Sequence, residues 1–517
     1  MSRDDSTPSR DEPANAGDRS TATMAREGSI TFAGNIVGKL FGFLIIAVIT
    51  RLVSPSVYGL FILATSIILF VQAFGNLGLP KAIDYFVPQY LSDGEHDKAR
   101  GVIVVVFSLV LLSSGIVAGV VVLASGTLAD AFEEPSLRVA LLVLSVTIPF
   151  LAVYNALLAS FSAIKRLKYR VYMRDVIRPT VRLLATAALL LFGYGLLGVV
   201  GGYLVGLVVA IVAGMVFLLR NAPRIVNART TRVSSRPLLS YSVPLAFAGI
   251  IYIFLGQIDY FVIGYFADSE DVGIYRVGYA LAANLMIFSS SLGPIFKPLI
   301  AESKENTDEV RTRYRTATRW IAGLTLPVLL VVSFGASAYL SVVFTPQYTV
   351  AAVAVVILAV GCTVSAACGG PDGTLLQGLG YSRLVFINTA VLLFINLSVS
   401  VLLVPRIGIT GAAIGTGSAL TVNGLLAVWE AHRYHGVHPF TRDLGKVLLA
   451  GVPAAAGAAV VVLLIDIPLL VAGVLPVVVF ALYAGTLHAT DAFTADDAEI
   501  AAQISPALRT AIQRSRR

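Results

Sequence analysis

The sequence predicts an all-α, polytopic membrane protein with about fourteen transmembrane helices. Hydrophobic residues make up 57% of the 517 residues and charged residues only 13%, about half of the ~25% that a soluble domain carries. The polar residues lie between long apolar stretches, most of which are close to the ~20 residues that a helix needs to cross a bilayer. This pattern excludes a soluble globular protein.

The apolar stretches place each span in turn. Residues 1–28 are rich in Ser, Thr, Asp and Pro and contain no apolar run, which predicts a disordered cytoplasmic tail rather than a signal peptide. Residues 491–517 form a second cytoplasmic tail, whose end is rich in Arg and is compatible with a surface amphipathic helix. Between the tails we predict the spans Ser29–Thr50, Val57–Leu79, Gly101–Thr127, Arg138–Ile164, Met173–Gly193, Leu196–Leu219, Tyr241–Phe266, Val272–Phe296, Trp320–Phe344, Val350–Leu376, Leu384–Val404, Gly408–Trp429, Leu444–Ile467 and Leu469–His488.

Lys and Arg concentrate in alternate loops. The loops after the fourth, sixth and eighth spans are strongly basic, whereas the loops after the third and seventh spans are short and acidic. The positive-inside rule then places the basic loops and both termini in the cytoplasm, in a multi-pass protein of the cell (cytoplasmic) membrane. The same rule accounts for the net charge of +8, so we predict no nucleic-acid partner.

An internal repeat relates the two halves of the membrane part. Gly195, Gly198 and Gly202 meet Gly408, Gly411 and Gly415 at a constant shift, because 408−195, 411−198 and 415−202 each equal 213. Gly59 and Gly273 match at a shift of 214. Six spans per unit is an even number, so the two copies share one orientation, as in transporters with parallel repeats. We predict two six-helix lobes, residues 29–220 and 238–429, with helices 13 and 14 appended over 443–490.

Charged residues occur within the fifth span. After Arg182 only the ten residues 183–192 precede a Gly-Tyr-Gly turn, and ten residues supply ~15 Å of helix, about half of the hydrocarbon thickness. To cross the membrane the helix must therefore continue backwards through Arg178 and towards Arg174. An ionisable residue at this depth costs at least ~2.5 kcal/mol and indicates function by default.

Arg178 and Arg182 are spaced i, i+4 and share one helix face. Pro179 between them is expected to bend the helix. One interpretation is a basic wall for a phosphate, which Arg contacts through a bidentate fork. The alternative is that Asp175 pairs with Arg178 while Arg174 reaches the headgroups.

Four further polar residues lie at membrane depth. Lys39 is near the middle of the first span, with Asn35 one turn earlier on the same face. Lys39 either faces the substrate or pairs with a carboxylate. Gln257 and Asp259 lie in the seventh span, and Asp259 is a candidate contact for a coupling ion or for a sugar. No spacing of Cys, His or acidic residues indicates a metal site, and no cofactor is predicted.

Several segments, in their order and spacing, are typical of one family. They begin at Gly34 (GNIVGKLFGFL), Arg51 (RLVSPSVYGLF), Tyr241 (YSVPL), Gln257 (QID), Val272 (VGIYR) and Gly408 (GITGAA). On these segments the chain resembles the oligosaccharide flippase family of the multidrug/oligosaccharidyl-lipid/polysaccharide exporter superfamily, over about residues 29–490. The resemblance implies a MATE-like fold of two lobes, with twelve core helices and two more.

The resemblance also implies a function. Members of this family export lipid-linked sugars, so the expected substrate is an oligosaccharide on a polyprenyl phosphate or pyrophosphate, and membrane lipids surround the protein. Glycosyltransferases or a polymerase of the same pathway are implied partners. A basic cavity suits such a headgroup, which favours Lys39, Arg178 and Arg182, with Asn35 and Gln257, as substrate contacts.

Other functions stay open at this point. A drug or cation antiporter of the same superfamily would be expected to use acidic residues at membrane depth, whereas here the basic ones are more numerous. A membrane glycosyltransferase or sugar polymerase would need a large outer loop with catalytic carboxylates, and every predicted outer loop is short. The sequence therefore predicts a transporter rather than an enzyme, with no catalytic residues.

Overall fold

The computed structural model describes residues 34, 37–368, 374–490 and 492, which are almost entirely helical. Helix α1 covers 37–52. The others are α2 Pro55–Gly75, α3 Leu79–Ser92, α4 His96–Ala131, α5 Pro135–Ser145, α6 Thr147–Ala163, α7 Leu167–Val171, α8 Arg178–Leu191, α9 Gly195–Asn221, α10 Pro223–Val226, α11 Ser235–Phe266, α12 Ser269–Ala283, α13 Ile287–Glu302, α14 Thr307–Tyr339, α15 Ala352–Ala367, α16 Thr374–Gly378, α17 Ser382–Ile407, α18 Ile409–His435, α19 Arg442–Leu449, α20 Gly451–Leu464 and α21 Pro468–Ala489. Single π-helical segments occur at Tyr172–Ile177 and Leu340–Phe344, and 3-10 segments at Asn284–Met286 and Pro346–Ala351.

The number of membrane spans can be counted over these described residues. Eleven helices are long and apolar enough to cross a membrane, and a twelfth span results if α5 and α6, which meet at a bend of 43°, are taken together. The polytopic helical fold is thus confirmed, whereas the count of fourteen stays a prediction. The two other predicted spans correspond to α1, which is described only over 37–52, and to α8, whose 14 residues begin with an arginine.

Several predicted boundaries are shifted by local backbone geometry. The second span ends at Gly75 rather than Leu79 because Leu77 and Gly78 adopt left-handed φ angles of 48° and 65°. The chain then starts a separate helix, α3, which the sequence did not predict. The eighth predicted span is divided into α12 and α13 by the 3-10 turn Asn284–Met286. The tenth span is helical to Ala367, and part of its predicted end lies outside the described residues.

We divide the helices along the chain into α1–α10, called here the N-half, and α11–α18, the C-half. Most of the other helices pack within their own half, whereas α11 and α12 also pack extensively on α2 and α3. The last three helices pack on α14, where they form a separate apolar cluster with Ala322 and Val331. Many other apolar side chains are exposed, among them Leu123 and Leu463. In a membrane protein such side chains face lipid, which is as apolar as they are.

The glycines of the internal repeat make equivalent contacts in both halves. Gly195, with φ 49°, begins α9, and Gly408, with φ 56°, immediately precedes α18. A Cβ atom on Gly202 would lie 2.0 Å from Thr186 Oγ1 of α8, and one on Gly415 would lie 2.1 Å from Ser400 Oγ of α17. Small residues let neighbouring membrane helices approach closely. The helix pairs α8–α9 and α17–α18 are therefore built alike at these positions.

Helices α2 and α12 join the two halves at one end of the bundle. A Cβ atom on Gly59 would lie 1.5 Å from the carbonyl oxygen of Ser269, and one on Gly273 would lie 2.3 Å from that of Pro55. Ser269 Oγ lies 3.3 Å from Ser56 Oγ and donates a hydrogen bond of 2.9 Å to Glu134 Oε2. Only glycine permits such an approach, so the halves are closed against each other at this end.

Candidate substrate and ion site

The fifth predicted span opens with the π-helix Tyr172–Ile177. Pro179 has no N–H group, so it cannot donate to the carbonyl of Asp175 as an ordinary helix would require. Instead, the N–H of Arg178 donates to the carbonyl of Met173, five residues earlier. A π-helical turn contains one residue more than an α-helical turn, and such turns are frequent at functional sites. The π-helical segment therefore ends directly before Arg178, and the bend expected at Pro179 stays a prediction.

Asp175 pairs with the residue beside it. Its Oδ1 accepts from Arg174 Nε at 2.9 Å and its Oδ2 from Arg174 Nη2 at 3.0 Å. The carboxylate is buried, and its Oδ1 would lie 2.9 Å from a Cβ atom on Gly38 of α1. The alternative pairing of Asp175 with Arg178 is therefore wrong. Within the π-helical segment the Asp175 carboxylate is bonded to Arg174, so the Arg178 guanidinium is available for other contacts.

Arg178 and Arg182 lie among aromatic rings. The Arg178 guanidinium stands 4.9 Å from the Tyr154 ring centroid and donates a hydrogen bond of 3.1 Å to the Tyr203 hydroxyl. The Arg182 guanidinium stands 4.9 Å from the Tyr203 centroid and 5.8 Å from that of Phe61. Cation–π contacts are worth about 0.5–2 kcal/mol. They hold the two arginines in place without neutralising them.

A third arginine, Arg276 of α12, joins this group from the C-half. It donates a hydrogen bond of 2.9 Å to the Tyr260 hydroxyl. Tyr58 of α2 is buried and interacts electrostatically with both Arg276 and Arg182. We call Arg178, Arg182 and Arg276 the arginine cluster. Arg276 was not predicted as a site residue, although it ends the segment VGIYR. A single arginine near the end of a span is as easily explained by the membrane surface as by a binding site.

Within the part of the chain that the structure describes, the arginine cluster has no carboxylate partner. Over the described residues, none of its three members forms an ion pair. The Nε atom of Arg182 is buried and has no hydrogen-bond partner there. A buried donor without an acceptor costs about 1–3 kcal/mol, and repulsion among three like charges adds to this cost. The cluster is therefore suited to an anion that would supply the missing acceptors.

Asp259 lies in a second polar cluster, inside the C-half. Its Oδ2 accepts hydrogen bonds of 2.7 Å from both Tyr275 and Thr416. Asn396 donates to Thr416 Oγ1 at 3.2 Å and accepts from Ser400 at 3.0 Å. Asp259 is only 8% exposed, and its Oδ1 is buried without a partner in the described part of the chain. Neutral oxygens around one carboxylate are the ligands that hard cations prefer.

The other predicted site residues are less central. Lys39 is exposed, and its Nζ donates to Ser290 Oγ of α13 at 3.2 Å, which links the two halves; among the described residues it forms no ion pair. Gln257 is half-buried, two residues before Asp259. Asn35 lies outside the described residues. The structure thus brings Arg178 and Arg182 together, places Asp259 in a separate cluster, and leaves Lys39 at the boundary between the halves.

The fold and these two clusters define a class: a polytopic helical membrane protein with a basic site that forms no ion pair within the described residues. Residues 48–353 match the model of a family described as polysaccharide biosynthesis protein. This match covers more than half of the chain, so the protein belongs to that family. The relationship expected from the sequence motifs is confirmed.

Individual proteins agree with this assignment. The probable low-salt glycan biosynthesis flippase Agl15 of Haloferax volcanii is 24% identical over 411 residues, covering 78% of this chain and 82% of that protein. Among solved structures, a lipid II flippase MurJ in an inward closed conformation gives a TM-score of 0.70 at 13% identity, covering 89% of this chain and 99% of that one. A multidrug resistance MATE family transporter gives a TM-score of 0.62 at 12% identity, covering 77% and 94%. Because the sequence identities are only 12–13%, these two structural matches establish a shared fold and not a shared function.

Proposed function

We propose that this protein is a flippase that moves a polyprenyl-(pyro)phosphate-linked oligosaccharide across the cell membrane by alternating access, for surface polysaccharide or glycoprotein glycan assembly. The observation that carries the proposal is the arginine cluster, three cationic side chains at membrane depth without an ion pair over the described residues. Family membership supports it, as do the relative named as a glycan biosynthesis flippase and the fold shared with a lipid II flippase.

The chemistry of the substrate fits the cluster. A glycan headgroup cannot cross ~30 Å of hydrocarbon unaided, because its polar groups would lose their hydrogen bonds with water. A phosphate bound midway needs fixed positive charge, which arginine supplies through hydrogen bonds that are roughly twice as strong as neutral ones. Arg182 and Arg276 come from different halves of the molecule. A phosphate between them would be held by both halves at once.

The acidic residues at membrane depth are already bonded to other side chains, which favours a flippase over an exporter of cations or drugs. Asp175 is paired with Arg174, and Glu430 accepts a hydrogen bond of 2.6 Å from Asn388. Asp259 is enclosed within the C-half by hydroxyl and amide groups. A cationic substrate would meet unpaired arginines rather than these carboxylates. We assign Asp259 instead to a coupling cation, and we propose a transporter rather than a glycosyltransferase or polymerase.

The remaining parts of the proposal concern how the protein is arranged in the membrane. Both termini lie in the cytoplasm, and residues 29–220 and 238–429 move as two lobes about the arginine cluster. Lys39 and Gln257 line the route of the headgroup, with Asn35 near the start of the first span. Glycosyltransferases or a polymerase of the same pathway act before and after the flipping step.

Removing charge from the cluster tests the function. In a strain that lacks the gene, plasmid copies carrying Arg276→Gln or the double change Arg178→Gln/Arg182→Gln should fail to restore surface glycan, while the lipid-linked precursor accumulates inside. The matched control is Arg220→Gln, an exposed arginine in the last turn of α9, which should restore export. Protein level is checked by immunoblot. Normal export by both cluster variants at normal protein level would refute the assignment of the headgroup to this site.

A further inference from the structure

Two consecutive hydrogen bonds join α11 and α12. The Tyr275 hydroxyl donates to Asp259 Oδ2 at 2.7 Å, and the next residue, Arg276, donates from Nη1 to the Tyr260 hydroxyl at 2.9 Å. Consecutive residues of α12 thus contact consecutive residues of α11. One contact belongs to the polar cluster around Asp259, called here the ion cluster, and the other to the arginine cluster. The two clusters are therefore connected through two adjacent residues on each helix.

The two contacts face different parts of the molecule. Successive side chains on an α-helix point about 100° apart. Tyr275 is buried in the C-half, where its hydroxyl also lies 3.3 Å from Thr416 Oγ1 of α18. Arg276 interacts instead with Tyr58 of the N-half. A rotation or translation of α12 against α2 that follows a change at Asp259 would therefore move Arg276 relative to Tyr58.

The free carboxylate oxygen of Asp259 is where a cation could bind and start a movement of α12. Its Oδ1 is buried and free of hydrogen bonds in the described part of the chain, whereas Oδ2 is held by two hydroxyls. A cation that binds Oδ1 draws electron density from the carboxylate and turns it towards the ion, which weakens or reorients the bond from Tyr275. The ion also gives a buried carboxylate the opposite charge that it otherwise lacks there.

We propose that Tyr275 is the positioning residue that couples cation occupancy at Asp259 to the presentation of Arg276 to the substrate phosphate. The proposal rests on the proposed function. Coupling between two binding sites is reciprocal, so a cation that changes the affinity for the anionic lipid must have its own affinity changed by the same factor. The hydroxyl of Tyr275, rather than its ring, carries this coupling, because it makes the hydrogen bond to Asp259.

The test measures binding of geranylgeranyl pyrophosphate to the full-length protein in lipid nanodiscs by calorimetry, in NaCl and in choline chloride of equal ionic strength. For the native chain the two dissociation constants should differ by about fivefold or more, the usual range for coupled sites. Tyr275→Phe should bind the lipid with a dissociation constant that no longer depends on Na⁺. The matched control is Tyr265→Phe, which removes the hydroxyl of an exposed tyrosine near the end of α11 and should keep the Na⁺ dependence.

Each other outcome separates this inference from the proposed function. Lipid binding that is equally Na⁺-dependent in the native chain and in Tyr275→Phe overturns the role of Tyr275 and leaves the flippase proposal intact. If the native chain binds the lipid with the same dissociation constant in both salts, the cation site and the lipid site are not coupled, and the whole inference is overturned. If the native chain binds no pyrophosphate lipid in either salt, the proposed function itself is overturned. Should Tyr275→Phe be unstable, Tyr275→Met also lacks the hydroxyl and has a flexible side chain that can fill the space, and it should likewise bind the lipid without Na⁺ dependence.

Discussion

Substituting Gly59 by alanine should open the contact between α2 and α12. The new Cβ atom would lie 1.5 Å from the carbonyl oxygen of Ser269, whereas ordinary contact begins near 3.4 Å, so the helices must separate by about 1.9 Å (3.4 − 1.5). The oxygen belongs to the backbone and cannot rotate away. Overpacking of this kind costs about 1–3 kcal/mol, which corresponds to about a 5- to 150-fold loss in the population of the closed arrangement.

Disulfide cross-linking measures this population. Ser56 and Ser269 have Oγ atoms 3.3 Å apart, so cysteines at these positions should oxidise rapidly while the halves are closed. The two native cysteines, Cys362 and Cys368, are replaced by alanine beforehand. Adding Gly59→Ala should slow the cross-linking by about the factor given above.

The matched control is Gly115→Ala on α4, where a Cβ atom would have no neighbour within 4 Å. It should leave the cross-linking rate unchanged. Both variants are first shown to elute as a single peak in detergent, so that a slower rate does not reflect unfolded protein. Equal rates with and without Gly59→Ala would refute the reasoning, because they would mean that α2 and α12 are not in backbone contact in the membrane.

Three further outcomes are expected. Reporter fusions after Arg229 and after Glu270 should report opposite sides of the membrane, and the same side for both would show that the predicted helix count is wrong. Arg182→Lys should retain part of the glycan export that Arg182→Glu abolishes, because lysine keeps the charge but loses the bidentate fork; full activity of the lysine variant in the complementation assay would argue against bidentate phosphate binding. Asp175→Asn should lower the melting temperature in detergent, since it leaves Arg174 without its carboxylate; the loss is about 1–3 kcal/mol, reduced from that of a fully buried pair because the Arg174 side chain is 36% exposed. An unchanged melting curve would mean that the pair contributes nothing to stability.

The sequence was most informative about features that repeat or extend over many residues. Long apolar runs predicted the helical membrane fold, and the glycine spacing predicted the alike packing of α8–α9 and α17–α18, which the contacts of Gly202 and Gly415 display. These features follow from the bilayer thickness and from the close approach of helices, so composition and period suffice to find them.

Contacts between distant segments could not be predicted in this way. Arg276 belongs to the arginine cluster because α12 crosses α2, and nothing in the local sequence encodes that crossing. The alternative pairing of Asp175 with Arg178 is wrong because i, i+3 spacing assumes an ordinary α-helix, whereas the segment Tyr172–Ile177 is π-helical. The break after Gly75 depends on a left-handed φ at Leu77, a residue type that rarely adopts it.

The internal repeat also relates the two clusters to each other. Gly59 and Gly273 match at a shift of 214, and at that shift Phe61 of the arginine cluster's surroundings corresponds to Tyr275 of the ion cluster (61 + 214 = 275). The backbone of residues 189–190 contacts Gly198 as that of residues 403–404 contacts Gly411, and the same shift of 214 takes Arg182 to Asn396. An arginine that attracts an anion in one copy therefore stands where the other copy has an amide beside the aspartate cluster. Corresponding positions of the two copies therefore carry different chemistry, a cationic guanidinium in one and neutral amide and hydroxyl groups around an aspartate in the other, so the two copies favour different kinds of ligand.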